Sequence, residues 1–209
     1  MFQRLSLALL IATFTVLGGC RDAYEWNQKL TVEIDTPDGV RAGSSVAHVY
    51  VLFGQLPLSG NEVEYSFEGE ATTIDLPDGR TLFALIDEWQ QETVYRSFAD
   101  LLPESRGDWL GHIAGLQGVR EVPAKWRPKI VMFEDINKPG SLKKVEPGKF
   151  GETLGPGYAL RSMTIEVTKE PVTKGVVASK LPWLETLPSG YVGNPALNVS
   201  TADFIRVAY

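Results

Sequence analysis

The sequence predicts an α+β fold in a single domain, with a mainly antiparallel sheet and two short helices. Three observations carry that prediction. Residues 28–35 alternate apolar and polar side chains, the period of a half-buried strand. Two Pro-Asp-Gly turns, Pro37-Asp38-Gly39 and Pro77-Asp78-Gly79, each separate apolar runs; Pro fixes φ there and Gly supplies positive φ. The period changes from two to 3.6 residues once, across residues 87–118, where apolar positions recur at helical spacing.

The 209 residues suffice for one ordinary domain with a core that needs no disulfide staple. Apolar residues make up 44% and charged residues 22%, a globular composition that argues against wholesale disorder. Residues 1–19 hold one charged side chain, Arg4, so 19 of the 20 Lys+Arg face all 26 Asp+Glu in the remainder, a net of −7. That balance excludes a general nucleic-acid binder, which needs a basic face. It also excludes simple electrostatic docking on anionic lipid.

The N-terminus has the order of a secretory signal: Arg4, an apolar run over residues 5–16, then Gly18 and Gly19 before Cys20. The run is too short to span a bilayer, which takes about 20 apolar residues. Leu17-Gly18-Gly19-Cys20 resembles the lipobox of bacterial lipoproteins. The resemblance implies cleavage before Cys20 and lipidation of its thiol, and it covers residues 1–20. Cys20 is the only cysteine in the chain, which fits an oxidising compartment where a spare thiol is a liability. Arg21 follows it, with Asp22 one place later. Family sorting treats Asp directly after the cysteine as an inner-membrane signal, so the resemblance implies the periplasmic face of an outer membrane. The expected organisation is a signal peptide over residues 1–19, a lipidated N-terminus and tether over 20–28, and the domain over 29–209.

Along the body, residues 28–35 form the first strand, with Leu30, Val32 and Ile34 on one face. Residues 45–53 are apolar on both faces and read as a central strand. Gly60-Asn61 marks a turn. Residues 71–76 and 81–86 flank the second Pro-Asp-Gly turn as a hairpin. The two copies of Ile-Asp-x-Pro-Asp-Gly, 40 residues apart, have different flanks and are two separate strand-to-turn solutions rather than a repeat.

A helix over 87–102 follows, with Asp87 as cap, Pro103 as stop, and Val94, Tyr95, Phe98, Leu101 and Leu102 on its apolar face. A second helix over 105–118 turns Leu110, Ile113 and Ala114 inward. Strands over 129–133 and 160–170 come next, the latter with Met163, Ile165 and Val167 inward. The tail from Pro182, rich in Pro, Gly, Asn and Ser, reads as irregular. The segment at 29–46, the Gly155-Pro156-Gly157 turn with its strand, and Leu181-Pro182-Trp183-Leu184 are similar to uncharacterised proteobacterial lipoproteins. That resemblance implies no activity.

Chemical signatures are few. The histidines, His48 and His112, lack zinc-site spacing; His48 reads as a hydrogen-bonded core residue and His112 as a polar helix residue. Ser44, Ser59 and Ser189 lie near glycines without forming a nucleophile elbow. Residues 135–146 match a calcium-loop template at Asp135, Asn137, Gly140 and Glu146. Pro139 occupies a ligand position, Lys143 and Lys144 bring positive charge, and strand–turn–strand is the reading adopted.

Arg106-Gly107-Asp108 is an adhesion-like tripeptide at a helix start, and Asn198-Val199-Ser200 fits a glycosylation sequon. Trp26, Trp89, Trp109, Trp126 and Trp183 are expected to supply core area. The sequence therefore points to Cys20 as a lipidation site and to no catalytic residue, metal or cofactor. The function it suggests is a membrane-anchored envelope lipoprotein, binding or structural, with an envelope protein or glycan as partner. The alternative is a periplasmic hydrolase built on acidic residues.

Overall fold

A computed structural model describes residues 21–56, 60–86, 90–103, 106–187 and 190–207. The expected signal segment over residues 1–19, Cys20, Ser59, Asp87, Trp89, Ser105 and Ser189 lie outside the described residues. The strands are β1 (Arg21–Thr36), β2 (Gly39–Leu56), β3 (Gly60–Glu70), β4 (Thr72–Asp75), β5 (Thr81–Ala84), β6 (Val119–Glu121), β7 (Ile130–Phe133), β8 (Leu142–Val145), β9 (Ala159–Thr168) and β10 (Ile205–Arg206). The helices are α1 (Gln90–Ser97), α2 (Arg106–Ile113), α3 (Phe150–Leu154) and α4 (Val176–Lys180).

The alternation in residues 28–35 buries Leu30, Val32 and Ile34 as expected, but the strand is twice that length. Residues 21–28, expected as a tether, are the first half of β1 and pair with β2 from Gly54 to Ala47. Trp26 is the reason: it is buried in the core, and its indole N–H donates to the buried Gln28 side chain at 3.0 Å. The polar residues around them hid the strand period. The β1–β2 ladder closes at Pro37-Asp38 with Gly39 at φ 104°. Gly60 and Asn61, expected as a turn, sit inside the β2–β3 ladder opposite Leu56 and Gln55. The six-stranded antiparallel sheet runs β10-β3-β2-β1-β9-β6, so β2 is central, as its apolar run predicted.

The second sheet is smaller and runs β4-β5-β7-β8. Its hairpin across residues 77–80 forms as expected. Leu82, Ala84, Ile130, Met132 and Val145 join the core shared with the large sheet, where Val32, Val49 and Ile165 also lie. Their strand neighbours Phe83, Val131, Phe133 and Leu142 point the other way, into a second core. Both faces of this sheet are therefore buried, which is why β5 and β7 read as unbroken apolar runs.

The second core is closed by the C-terminal tail. That tail is irregular, as expected, being mostly short 3₁₀ turns. It is also a packing layer: Leu184, Val192, Val199 and Phe204 join Val177 and Leu181 against the sheet. Phe204 packs on Phe83 with ring centroids 5.6 Å apart, and Trp183 packs edge-on to Phe133 at 5.3 Å.

The expected pair of helices is corrected to four among the described residues, because α3 and α4 are single turns of five residues each. The first expected helix ends at Ser97, and Phe98 and Leu101 continue as turns. Val94, Phe98 and Leu102 are buried, but that rotation leaves Leu101 exposed. The second helix ends at Ile113, leaving Ala114 exposed instead of inward. At one end of the large sheet α2 packs near Tyr24; towards the Gly39 end β4 crosses β2. At that crossing a Cβ on Gly43 would stand 2.0 Å from the Thr73 carbonyl oxygen.

Where β3 leaves the large sheet, Glu70 is 5% exposed. Its carboxylate accepts backbone N–H bonds from Gly175, from Val176 at 2.9 Å and from Val177 at 3.0 Å. The bonds replace lost hydration and fix the start of α4. Glu70→Ala is expected to cost about 3 kcal/mol, because three backbone donors, that of Val177 buried, lose a buried charged acceptor, with Glu70→Gln intermediate; urea unfolding monitored by near-UV dichroism measures both. Gly43→Ala is expected to cost about 2 kcal/mol or more, since rigid backbone must shift to admit the methyl group. A midpoint equal to that of the parent protein would contradict the close approach.

Candidate functional site

The β4–β5 turn is built around Asp78 and Arg80. Asp78 Oδ1 accepts the Arg80 backbone N–H at 3.1 Å, and its Oδ2 accepts Arg80 Nε–H at 2.9 Å. Gly79, at φ 84°, makes that reversal possible. Arg80 also donates Nη2–H to the Leu154 carbonyl at 2.7 Å, tying the turn to the end of α3. Tyr158 donates its hydroxyl to Asp78 Oδ2 at 2.7 Å, and the guanidinium lies 5.3 Å from its ring centroid. The Arg80 hydrogen bonds hold the Asp78 carboxyl well below the usual carboxylate range, against partial burial and with help from Tyr158. The same carboxylate raises the Tyr158 phenol above its ordinary value.

Beside this cluster lies an open groove of about 750 Å³, joined through Arg80 and Glu134 to a recess of about 460 Å³. The edge strand β8 contributes Leu142, Lys143 and Lys144 to the groove, α3 contributes Glu152 and Thr153, and the tail contributes Asn194 and Leu197. Three lysine–carboxylate pairs lie in and around it. Lys143 binds Glu134, Lys144 lies 2.7 Å from Glu146, and Lys138 lies 2.8 Å from Asp135. The pairing of Lys138 with Asp135 lowers that carboxyl's pKa. The groove thus combines apolar patches with pinned charges, a lining suited to contact and hydrogen bonding.

The residues singled out in the sequence are scattered. His48 is not in the core: it lies half-buried on the outer face of the large sheet, where Nδ1 is 2.8 Å from Asn27 Oδ1 and Nε2 is 3.9 Å from Glu25. The inward positions on that strand belong to Ala47 and Val49. His112 is exposed on α2, with Nδ1 2.7 Å from the Asp108 carbonyl. Asp108 of the Arg-Gly-Asp tripeptide is exposed, and so is Asn198 of the sequon.

The 135–146 segment is strand–turn–strand: β7 precedes it, residues 139–141 form a 3₁₀ turn, and β8 places Glu146 beyond its end. Among the described residues no group of three or more His, Cys, Asp or Glu is arranged to hold a metal ion. Of the tryptophans, Trp26 and Trp109 are core residues. Trp126 and Trp183 are half-buried; Trp126 has Arg96 4.6 Å and Lys125 5.3 Å from its ring centroid, and Trp183 donates its N–H to the Ile136 carbonyl at 2.7 Å.

The sequence reading did not find the groove or the Asp78–Arg80–Tyr158 cluster. Its one local signal was the Asp-Gly-Arg of the turn; the partners stand 74 and 80 residues away. Comparison with known proteins found no matching family model, no matching curated protein and no matching solved structure.

The cluster has a pH signature. The folded pKa of Asp78 is depressed, so its contribution is complete above the unfolded value of about 4 and is lost as pH falls towards the folded value. Asp78→Asn is expected to lower stability at pH 7 by about 1 kcal/mol, a figure discounted for a side chain partly open to water. Its acid limb below about pH 4 should also be shallower than that of the parent protein. Denaturant titrations at pH 7, 4 and 3 measure both effects; parallel curves for the two proteins would contradict the assignment.

Proposed function

We propose that the protein is a lipid-anchored envelope protein whose folded body is a binding module. The observation that carries this reading is the position of Cys20, the only cysteine in the chain, at the end of Leu17-Gly18-Gly19-Cys20. An acylated cysteine supplies the membrane affinity that a net charge of −7 on the remainder does not. Arg21 directly after Cys20 supports the periplasmic face of an outer membrane, by the sorting rule of the lipoprotein family.

In this reading the sheet begins where the lipid ends. β1 starts at Arg21, leaving no spacer between the acylated residue and the ladder. The Arg21 end of the large sheet then lies against the bilayer, and the turn at Pro37-Asp38 points away from it.

Binding rather than hydrolysis is supported by the groove's electrostatics. A general base must readily take a proton, yet Asp78, in the adjoining recess, is held by Arg80 and Tyr158, which favour its ionised form. The envelope partner is a protein or glycan, and nucleic acid is disfavoured by the acidic surface.

Metabolic labelling with an alkyne fatty acid tests the anchor. Wild type is expected to incorporate label and to sediment with outer-membrane markers. Cys20→Ser is expected to lose both and to accumulate as an unprocessed or soluble species. Equal labelling of the two proteins would reject the proposal.

A further inference from the structure

We propose that the free edge of β8 is a docking slot for an extended segment of a partner protein, which adds to the second sheet as a fifth strand. This inference rests on the binding-module reading and names its site and partner class. The sheet order places β8 outermost. It pairs with β7 on one side only, from Leu142 opposite Phe133 to Val145 opposite Ile130. Among the described residues no strand pairs with its other side.

Register shows which groups face outward. The Glu134 N–H bonds the Ser141 carbonyl at 3.2 Å. In an antiparallel ladder hydrogen-bonded and non-bonded pairs alternate, so Met132–Lys143 and Ile130–Val145 are the bonded pairs. Lys144 and Leu142 are then the residues whose backbone polar groups turn away from β7. The Leu142 N–H is used internally, by the Pro139 carbonyl. The Lys144 N–H and C=O and the Leu142 C=O remain for an outside partner.

The groove lies along this edge. Val145 points into the inter-sheet core and Leu142 into the outer core, so alternation sends Lys143 to the inter-sheet side and Lys144 to the outer side. Both lysines line the groove, so its floor is the strand edge itself. Its two walls belong to different layers. Phe150 and Leu154 anchor α3 in the inter-sheet core, which puts Glu152 and Thr153 on that side; Leu197 packs on the outer core, which puts the tail on the other.

Unpaired backbone donors and acceptors along a strand are complementary to one other thing, an extended backbone in register. Charge decides between the sources of such a backbone. A symmetric pairing of two β8 edges centred on Lys143 or Lys144 would set that lysine opposite its own copy, a like-charge contact that destabilises a ladder, whereas a single strand without that charge completes it at about 4.8 Å spacing. Four residues of β8 span roughly 13 Å. The outer side carries Lys144 and Asn194 beside Leu197, and the inner side carries Lys143, Glu152 and Thr153. The expected occupant is therefore a short extended segment recognised through its backbone, with small or polar side chains.

The test uses the full-length lipoprotein in detergent micelles and a capped peptide of alternating valine and threonine with a lysine at each end. At roughly millimolar peptide, amide exchange at Lys144 is expected to slow by about tenfold, as for a site filled nine-tenths of the time. A control peptide N-methylated at alternate amides is expected to have no effect. In the protein, Lys144→Pro removes an outward N–H without breaking a bond to β7, a substitution that edge strands accept. It should keep a cooperative melt and bind the peptide at least about tenfold more weakly; Lys144→Ala, which keeps the N–H, should bind like wild type.

No protection at Lys144, or equal protection by the N-methylated peptide, would overturn the slot. Chemical cross-linking in intact envelopes separates that failure from a wider one. A cross-linked partner retained by Lys144→Pro would mean a binding module that uses another surface. No cross-linked partner for either protein would count against the binding-module reading itself.

Discussion

The architecture depends on a sheet of four short strands that has no face for water. β5 and β7 are four residues each and fully buried, so neither can stand at the surface. Burial of one face requires the large sheet, and burial of the other requires the C-terminal tail. Each unmet face would expose an apolar patch of the kind that drives association. Sequence far from the sheet must therefore come back to it, and the means of return are visible in the polar contacts.

Glu70 is the hinge of that return. It lies where the chain passes from β3 to β4, and β10 pairs with it and with Gly69. Its carboxylate holds the backbone at residues 175–177, the entrance to the layer that covers the second core. Before reaching it, residues 169–174 cross the outer face of the large sheet. Lys29 meets Glu170 at 2.7 Å, Thr173 exchanges bonds with the Val46 backbone at 3.0 and 2.9 Å, and Lys174 meets Glu68 at 2.6 Å. These contacts step from β1 to β2 to β3, so the crossing follows the sheet order. A carboxylate this buried is tolerable because its charge is shared among several donors.

The same constraint creates the groove. A sheet covered on both faces but open at one edge leaves its last strand between two layers. At β4, the other edge, the close crossing of β2 at Gly43 fills the space, and Ser45 and Thr72 share a 2.6 Å hydrogen bond. At β8 the covering layers are α3 and the tail, which stand apart and leave a slot. The asymmetry between the two edges is thus a matter of what packs beside each. Lysine–carboxylate pairs, Lys143 with Glu134 and Lys144 with Glu146, surround the slot.

Much of the strand pattern was legible in the sequence because period-two alternation and Pro-Asp-Gly turns are local signals. Leu30, Val32 and Ile34 fell where alternation put them, and the hairpin from residue 72 to residue 84 formed around its turn. The first half of β1 was not legible, because polar residues break its alternation and the polar Gln28 is buried beside Trp26. Nor was the position of His48, since both faces of β2 carry apolar residues and the sequence alone does not say which faces the core. The brevity of the helices was hidden because packing, more than propensity, fixes where a marginal helix ends.

By itself the sequence determined the Leu17-Gly18-Gly19-Cys20 motif with its single cysteine and the acidic balance, and the antiparallel character and the turns, since these are properties of composition or of neighbours within a few residues. Tertiary structure alone decided which strand is an edge, which faces are buried and where Glu70, Arg80 and Lys144 find or lack partners. Those depend on contacts between residues as far as 143 positions apart, and no local pattern encodes a contact of that range.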